Sequence, residues 1–134
     1  MINDIENLKQ LGANEPIASF LGLKLIELSP GYAKVSMKMK PDYLNFNGKV
    51  YGGIIASVAD QAFAYAGNTL IMPNVASQFN IHYLEAVNAT DELFAECTVL
   101  KKGKRMCMME MKVTNQQNVL VAVATGTTIP LVKT

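Results

Sequence analysis

Asp60 is the one acid in the apolar run from Gly52 to Leu70, set among Val58, Ala59, Ala62 and Phe63. Burying an unpaired carboxylate is costly, so an acid kept in such a run points to chemistry. A carboxylate there can attack an acyl carbon directly, or take a proton from the water that attacks it. Gly52 and Gly53 open the same run. If the run is a helix, their N–H groups are unpaired donors at the positive end of its dipole. Lacking Cβ atoms, they let a ligand come close to the backbone, which suits an oxygen turning negative as a carbonyl becomes tetrahedral. The plain alternatives are a solvated helix acid and a Gly-Gly that only closes a tight loop. Asn45, a little upstream, can donate to the same carbonyl, hold a water, or cap its own loop as an Asx turn.

Spacing limits how these groups can meet. Gly52 and Asp60 are eight residues apart, about 12 Å along a helix at 1.5 Å per residue. Groups acting on one carbonyl must converge within about 3 Å of it. One helix hardly manages this, whereas two antiparallel helices related by a two-fold axis do. The expectation is that Gly52 and Asn45 of one subunit face Asp60 of another.

The elements that position these residues are legible. Gly52 to Leu70 is Ala-rich and apolar round most of its circumference, with Ser57, Asp60, Gln61, Ala64 and Asn68 as a thin, mostly polar stripe. That pattern predicts a buried helix. Two short helices precede it, Asn3 to Leu11 and Glu15 to Leu21, the second with Pro16 in its first turn. Strands are expected at Leu23 to Leu28 and Tyr32 to Met39, then at Ala76 to Glu85, Glu92 to Lys101, Arg105 to Asn115 and Val119 to Ile129. Ala33, Val35, Met37 and Met39 alternate with polar residues, the mark of a half-buried strand. One long apolar helix followed by hairpin-linked strands predicts an α+β domain whose antiparallel sheet wraps the helix.

Composition narrows the classes. A chain of 134 residues is short for two cores, so 1–134 reads as one domain. Charged residues are 17% and hydrophobic residues 50%, where about 25% charged is ordinary. The excess apolar surface asks for a subunit interface, an apolar ligand, or both. A net charge of +1 argues against nucleic acid. Cys97 and Cys107 cannot make a disulfide framework, no leader segment is evident, and the longest apolar stretch is too short to span a bilayer. A soluble, cytoplasmic protein is expected, with no membrane partner. His82 stands without metal-ligand spacing, and no metal is expected.

The sequence resembles the hotdog-fold thioesterases, specifically the phenylacetate-degradation type that hydrolyses aromatic and other acyl-CoAs. The strongest stretch is Asn45-Phe46-Asn47-Gly48-Lys49-Val50-Tyr51-Gly52-Gly53, then six residues to Asp60. The family pattern there is Asn-x-x-Gly-x-x-His-Gly-Gly followed by a helical acid. Asp60 to Ala66, Val75 to Ser77, Gly103 to Arg105 and Val113 to Gln116 continue the likeness, as do Leu21-Gly22 and Gly31 to Val35. It covers roughly residues 17 to 131. One position departs: Tyr51 stands where the family has histidine.

The resemblance implies a hotdog fold, an acyl-CoA thioesterase, and a homo-oligomer, either a dimer or a dimer of dimers. Asp60 does the chemistry, with Gly52 and Asn45 at the oxyanion side, while Tyr51 and Gly53 line the substrate. Ser77 lies where relatives orient water or line the acyl pocket, though it can be an ordinary strand serine. Lys102, Gly103, Lys104 and Arg105 form a basic turn that can hold the phosphates of coenzyme A, or be simply solvated. No cofactor is implied, since coenzyme A is part of the substrate. A thiolate leaves readily, with a pKa near 8.5 by analogy with cysteine, so a site lacking histidine can still cleave a thioester. Rival readings are a non-catalytic acyl-CoA-binding protein on the same scaffold, which Tyr51 favours, and a purely structural oligomer.

Overall fold

In the computed structural model, which describes residues 4–131, alternation and helical periodicity are both realised. Helices α1 (Asp4–Ala13) and α2 (Pro16–Leu21) lead into strands β1 (Lys24–Ser29) and β2 (Tyr32–Lys38). A short 3₁₀ turn at Pro41–Tyr43 precedes the long helix α3 (Gly52–Asn68). Strands β3 (Asn74–Tyr83), β4 (Glu92–Lys102), β5 (Cys107–Thr114) and β6 (Leu120–Pro130) follow. The expected first residue of α1, Asn3, lies outside the described residues.

Boundaries moved where local chemistry overrode the periodic pattern. Helix α3 stops at Asn68, two residues before the expected Leu70, where the last turn tightens and the Leu70 amide donates to the Gly67 carbonyl at 3.1 Å. Strand β3 starts at Asn74 rather than Ala76, because Asn74 and Val75 already pair with Pro130 and Ile129 of β6. Strand β5 starts at Cys107 rather than Arg105; the Gly103 amide closes the preceding turn onto the Met106 carbonyl at 2.7 Å.

The six strands form one antiparallel sheet in the order β1-β2-β4-β5-β6-β3. The sheet cups α3, chiefly through β4, β2 and β5. Phe63, Val58, Ala59, Ala62 and Ala66 of the helix meet Val35, Met37, Leu93, Met109 and Met111 of the strands in one buried core. Of the four methionines on and before β5, Met109 and Met111 are core, while Met106 and Met108 face outward. Phe63 is 1% exposed, and truncating a side chain so placed costs about 3–5 kcal/mol.

Two features of the layout position the site. Strand β3 runs back along the whole helix, from Asn74 near its last turn to Tyr83 at its start. Among the described residues it pairs only with β6, so it is an edge strand, and Val75, Ala76, Ser77 and Gln78 along it are exposed. The chain thus leaves ten residues of strand with one unpaired side, an arrangement that invites another strand.

Candidate active site

Tyr51 has an extended backbone and precedes the first turn of α3, where its carbonyl accepts from the Ile54 amide at 2.9 Å and the Ile55 amide at 3.4 Å. Among the described residues nothing accepts from the N–H groups of Gly52 or Gly53. Gly53 is exposed and Gly52 half-buried. The helix start is therefore a pair of open donors at the positive end of the dipole, as the sequence predicted.

The need for two glycines is steric as well. A Cβ on Gly52 would lie 3.2 Å from both Cζ and Oη of Tyr83, and one on Gly53 would lie 2.9 Å from Cε2 of Tyr51. Each glycine is thus faced by a tyrosine ring. The Tyr83 hydroxyl donates to the Gly52 carbonyl at 2.9 Å. Sequence reasoning passed over Tyr83, which sits 31 residues downstream of the glycine it touches. Burial, and then the nearby Tyr51, raise its phenol above the ordinary 10. A cavity of about 280 Å³ opens beside Gly52 and Tyr83, walled by Val50, Ile55 and Leu84.

The loop before the helix is tied down by hydrogen bonds along its length. Asn45 Oδ1 accepts from the amides of Asn47 at 2.9 Å and Lys49 at 3.2 Å, the Asx turn considered for it. Gly48 takes φ +77, which glycine adopts freely. The Tyr51 amide donates to the Tyr43 carbonyl at 2.8 Å and the Val50 amide to the Val87 carbonyl at 2.9 Å. With its oxygen so used, Asn45 keeps its Nδ2 hydrogens, which have no acceptor among the described residues.

Asp60 corrects one expectation. The helix was expected to leave the acid little solvent face; instead Asp60 and Ala64 are exposed within the chain, with Ser57 half-buried beside them. The sheet covers the opposite side of α3, and among the described residues nothing covers this one. The protein around Asp60 is nonetheless close enough that desolvation raises its carboxyl, with the Glu15 charge adding to the rise. Gln61, placed by sequence on the same stripe, is 8% exposed because its amide reaches Glu15. Asp60 and Gly52 share one unbroken helix, so within one chain they stay about 12 Å apart.

The remaining candidates lie elsewhere. Ser77 sits in β3 at a register shift between Ala76 and Gln78, with its hydroxyl 3.0 Å from Thr127 Oγ1 and 3.3 Å from the Thr127 carbonyl. Such a bulge re-aims a side chain. Lys102, Lys104 and Arg105 are exposed on the β4–β5 turn, with Gly103 between them, and no ion pair engages them among the described residues. That turn belongs to the far end of α3: the Val99 amide donates to the Gly31 carbonyl, and the Gly31 amide to Thr69 Oγ1, both at 2.8 Å. One chain therefore does not bring the basic turn to its own helix start. His82 is exposed on β3, and no cluster of three metal-ligating side chains exists among the described residues.

Residues 47–122 match the family model of the thioesterase superfamily. The acyl-coenzyme A thioesterase PaaI of Escherichia coli is 34% identical over 121 residues, covering 90% of this chain and 86% of that protein. The structure of the E. coli PaaI protein from the phenylacetic acid degradation operon superposes with TM-score 0.92 at 32% identity, over 98% of this chain and 95% of that one. A Streptococcus mutans protein bound to acetyl CoA superposes with TM-score 0.79 at 25% identity, over 83% and 90% of the two chains. The chain belongs to the thioesterase superfamily, as a thioester hydrolase of hotdog fold.

Proposed function

We propose that the protein hydrolyses the thioester of an aromatic or medium- to long-chain acyl-CoA, in a homodimer that shares each site between two chains. The observation that carries this is the pair of open N–H groups at Gly52 and Gly53, about 12 Å along one helix from a carboxylate on its uncovered face. Antiparallel pairing of two such helices closes that gap and covers the exposed Asp60 stripe. It also carries the far end of one α3, with its basic turn, toward the helix start of the other. Lys102, Lys104 and Arg105 of one chain then meet the phosphates of a coenzyme A whose thioester lies at Gly52 of its neighbour.

In this reading the thioester carbonyl oxygen sits on the helix start and the Asn45 amide, which hold it as negative charge develops. Asp60 of the other chain attacks the carbonyl carbon or takes the proton from an attacking water. Its raised carboxyl makes it the more basic for either task. The C–S bond then breaks and coenzyme A leaves as a thiolate that needs little help from an acid; on the direct-attack route water then hydrolyses the acyl–Asp60 anhydride, releasing the acid and restoring the carboxylate. The acetyl-CoA complex of the S. mutans relative and the activity of E. coli PaaI support the ligand class.

Tyr51 supports a second reading, an acyl-CoA-binding protein without turnover, because a tyrosine ring beside Gly53 stands where the family has histidine. Free-thiol release from a panel of acyl-CoAs, run with wild type, Asp60→Ala and Tyr51→His, separates the two. Tight binding with no thiol release favours the binding protein. Mixing Asp60→Ala chains with Gly52→Val chains tests the shared site: hybrids regaining activity support it, and hybrids regaining none count against it.

A further inference from the structure

Tyr83 stands at the end of β3 with its hydroxyl on the backbone of the helix that carries the reaction. The Gly52 carbonyl it bonds, at 2.9 Å, belongs to the same planar peptide unit as the Gly53 N–H. Holding the oxygen of that unit fixes the direction of its N–H. The restraint matters here because glycine on both sides leaves the peptide plane unusually free to rotate. A donor on the carbonyl also polarises the amide, strengthening the N–H as a donor in turn. Gly52 lacks the Cβ that would come within 3.2 Å of the Tyr83 ring and hydroxyl, so the close approach depends on glycine being there.

We propose that Tyr83 is a positioning residue for thioester hydrolysis: through the Gly52–Gly53 peptide it aims the helix-start donors at the developing oxyanion. The inference rests on the hydrolytic reading above and adds to it a residue outside the loop and helix. Because its phenol lies above its ordinary value, Tyr83 keeps its proton across the neutral range and remains a donor.

The test is Tyr83→Phe, which keeps the ring and removes the hydroxyl, assayed with phenylacetyl-CoA and hexanoyl-CoA beside wild type, Gly52→Ala and the double variant. Losing one direct oxyanion donor lowers kcat about 10²- to 10³-fold; a residue that only aims such donors is expected to cost about tenfold by the same reasoning. KM should stay within about twofold, since the bond matters most in the transition state. Gly52→Ala pushes the ring away, so adding Tyr83→Phe to it should cost little more. Wild-type kcat in Tyr83→Phe overturns the proposal while leaving the hydrolytic reading intact. A raised KM with unchanged kcat, or strictly additive losses in the double variant, overturns it too. Absence of turnover by wild type overturns the hydrolytic reading itself, and the role of Tyr83 with it. The Gly53 amide nitrogen shift, compared between folded wild type and Tyr83→Phe, checks separately that the hydroxyl acts on this peptide.

Discussion

The side-chain amide of Gln61 donates to the carboxylate of Glu15 at 2.6 Å, joining the long helix to the linker between the two N-terminal helices. Glu15 precedes α2 yet makes no cap bond to it. Its charge lies instead beside α3, where it adds to the burial that raises the Asp60 carboxyl.

That placement sets the acid side of the pH profile. In the proposed mechanism hydrolysis needs Asp60 ionised, so kcat/KM should fall as pH drops through a carboxyl value above the ordinary 3.8. Glu15→Gln removes the second cause and leaves burial in place. The acidic limb should then move to lower pH without returning fully to that of a free aspartate. A limb that stays put, measured over pH 4 to 7 at fixed ionic strength, would show that Glu15 does not act on Asp60.

Stability carries the same signature. A carboxyl raised on folding favours its protonated form in the native state, so the charged form costs stability at neutral pH. Asp60→Asn should therefore melt higher than wild type at pH 7. The difference should shrink as pH falls and vanish below the ordinary carboxyl value, where wild type is protonated in both states. The same variant should lose at least ~100-fold in kcat, the scale of a lost general base. Thermal unfolding and thiol release on one preparation check both outcomes.

The basic turn predicts a split between binding and chemistry. Neutralising Lys102, Lys104 and Arg105 together should raise KM for acyl-CoA several-fold at low salt, with kcat little changed, because the phosphates lie far from the thioester. The gap should narrow in high salt, where exposed charges are screened over about 3 Å at 1 M. An acyl N-acetylcysteamine thioester, lacking the phosphates, should show no difference. A KM increase with that small substrate would place the turn elsewhere.

Gly126 on β6 makes a packing prediction. A Cβ there would lie 2.7 Å from Phe63 Cζ and 2.8 Å from the Gln78 carbonyl oxygen. Backbone on one side and a buried ring on the other leave little room to give. Gly126→Ala should destabilise by about 1–3 kcal/mol, the usual cost of overpacking. Urea unfolding at equilibrium measures it, and an unchanged midpoint would show that the strand shifts freely.

What the sequence revealed follows what is local. The glycine pair, Asn45, Gly48 and Asp60 lie within sixteen residues of chain, and their spacing carried both the thioesterase resemblance and the open helix start. Sheet alternation and the apolar helix carried the hotdog architecture in the same way. Tyr83 and Glu15 stayed hidden because each meets the site across 31 and 46 residues, and neither lies in the stretch whose spacing announced chemistry. Gln61 was misplaced for a related reason: helical periodicity sets its direction, but only α1 and α2 decide that this direction is covered. The exposure of Asp60 is the converse case, an apolar neighbourhood in sequence that the described residues leave uncovered.

Strand β3 has two duties that meet at Tyr83. Among the described residues its outer side is unpaired, and its last residue holds the Gly52–Gly53 peptide. Whatever zips onto that edge stiffens the strand, and a stiffer strand steadies the helix start at its end. In the proposed dimer, association and turnover are then geared together. Dilution should dim catalysis while each chain is still folded, and a peptide that competes for the edge would inhibit without touching the substrate's place.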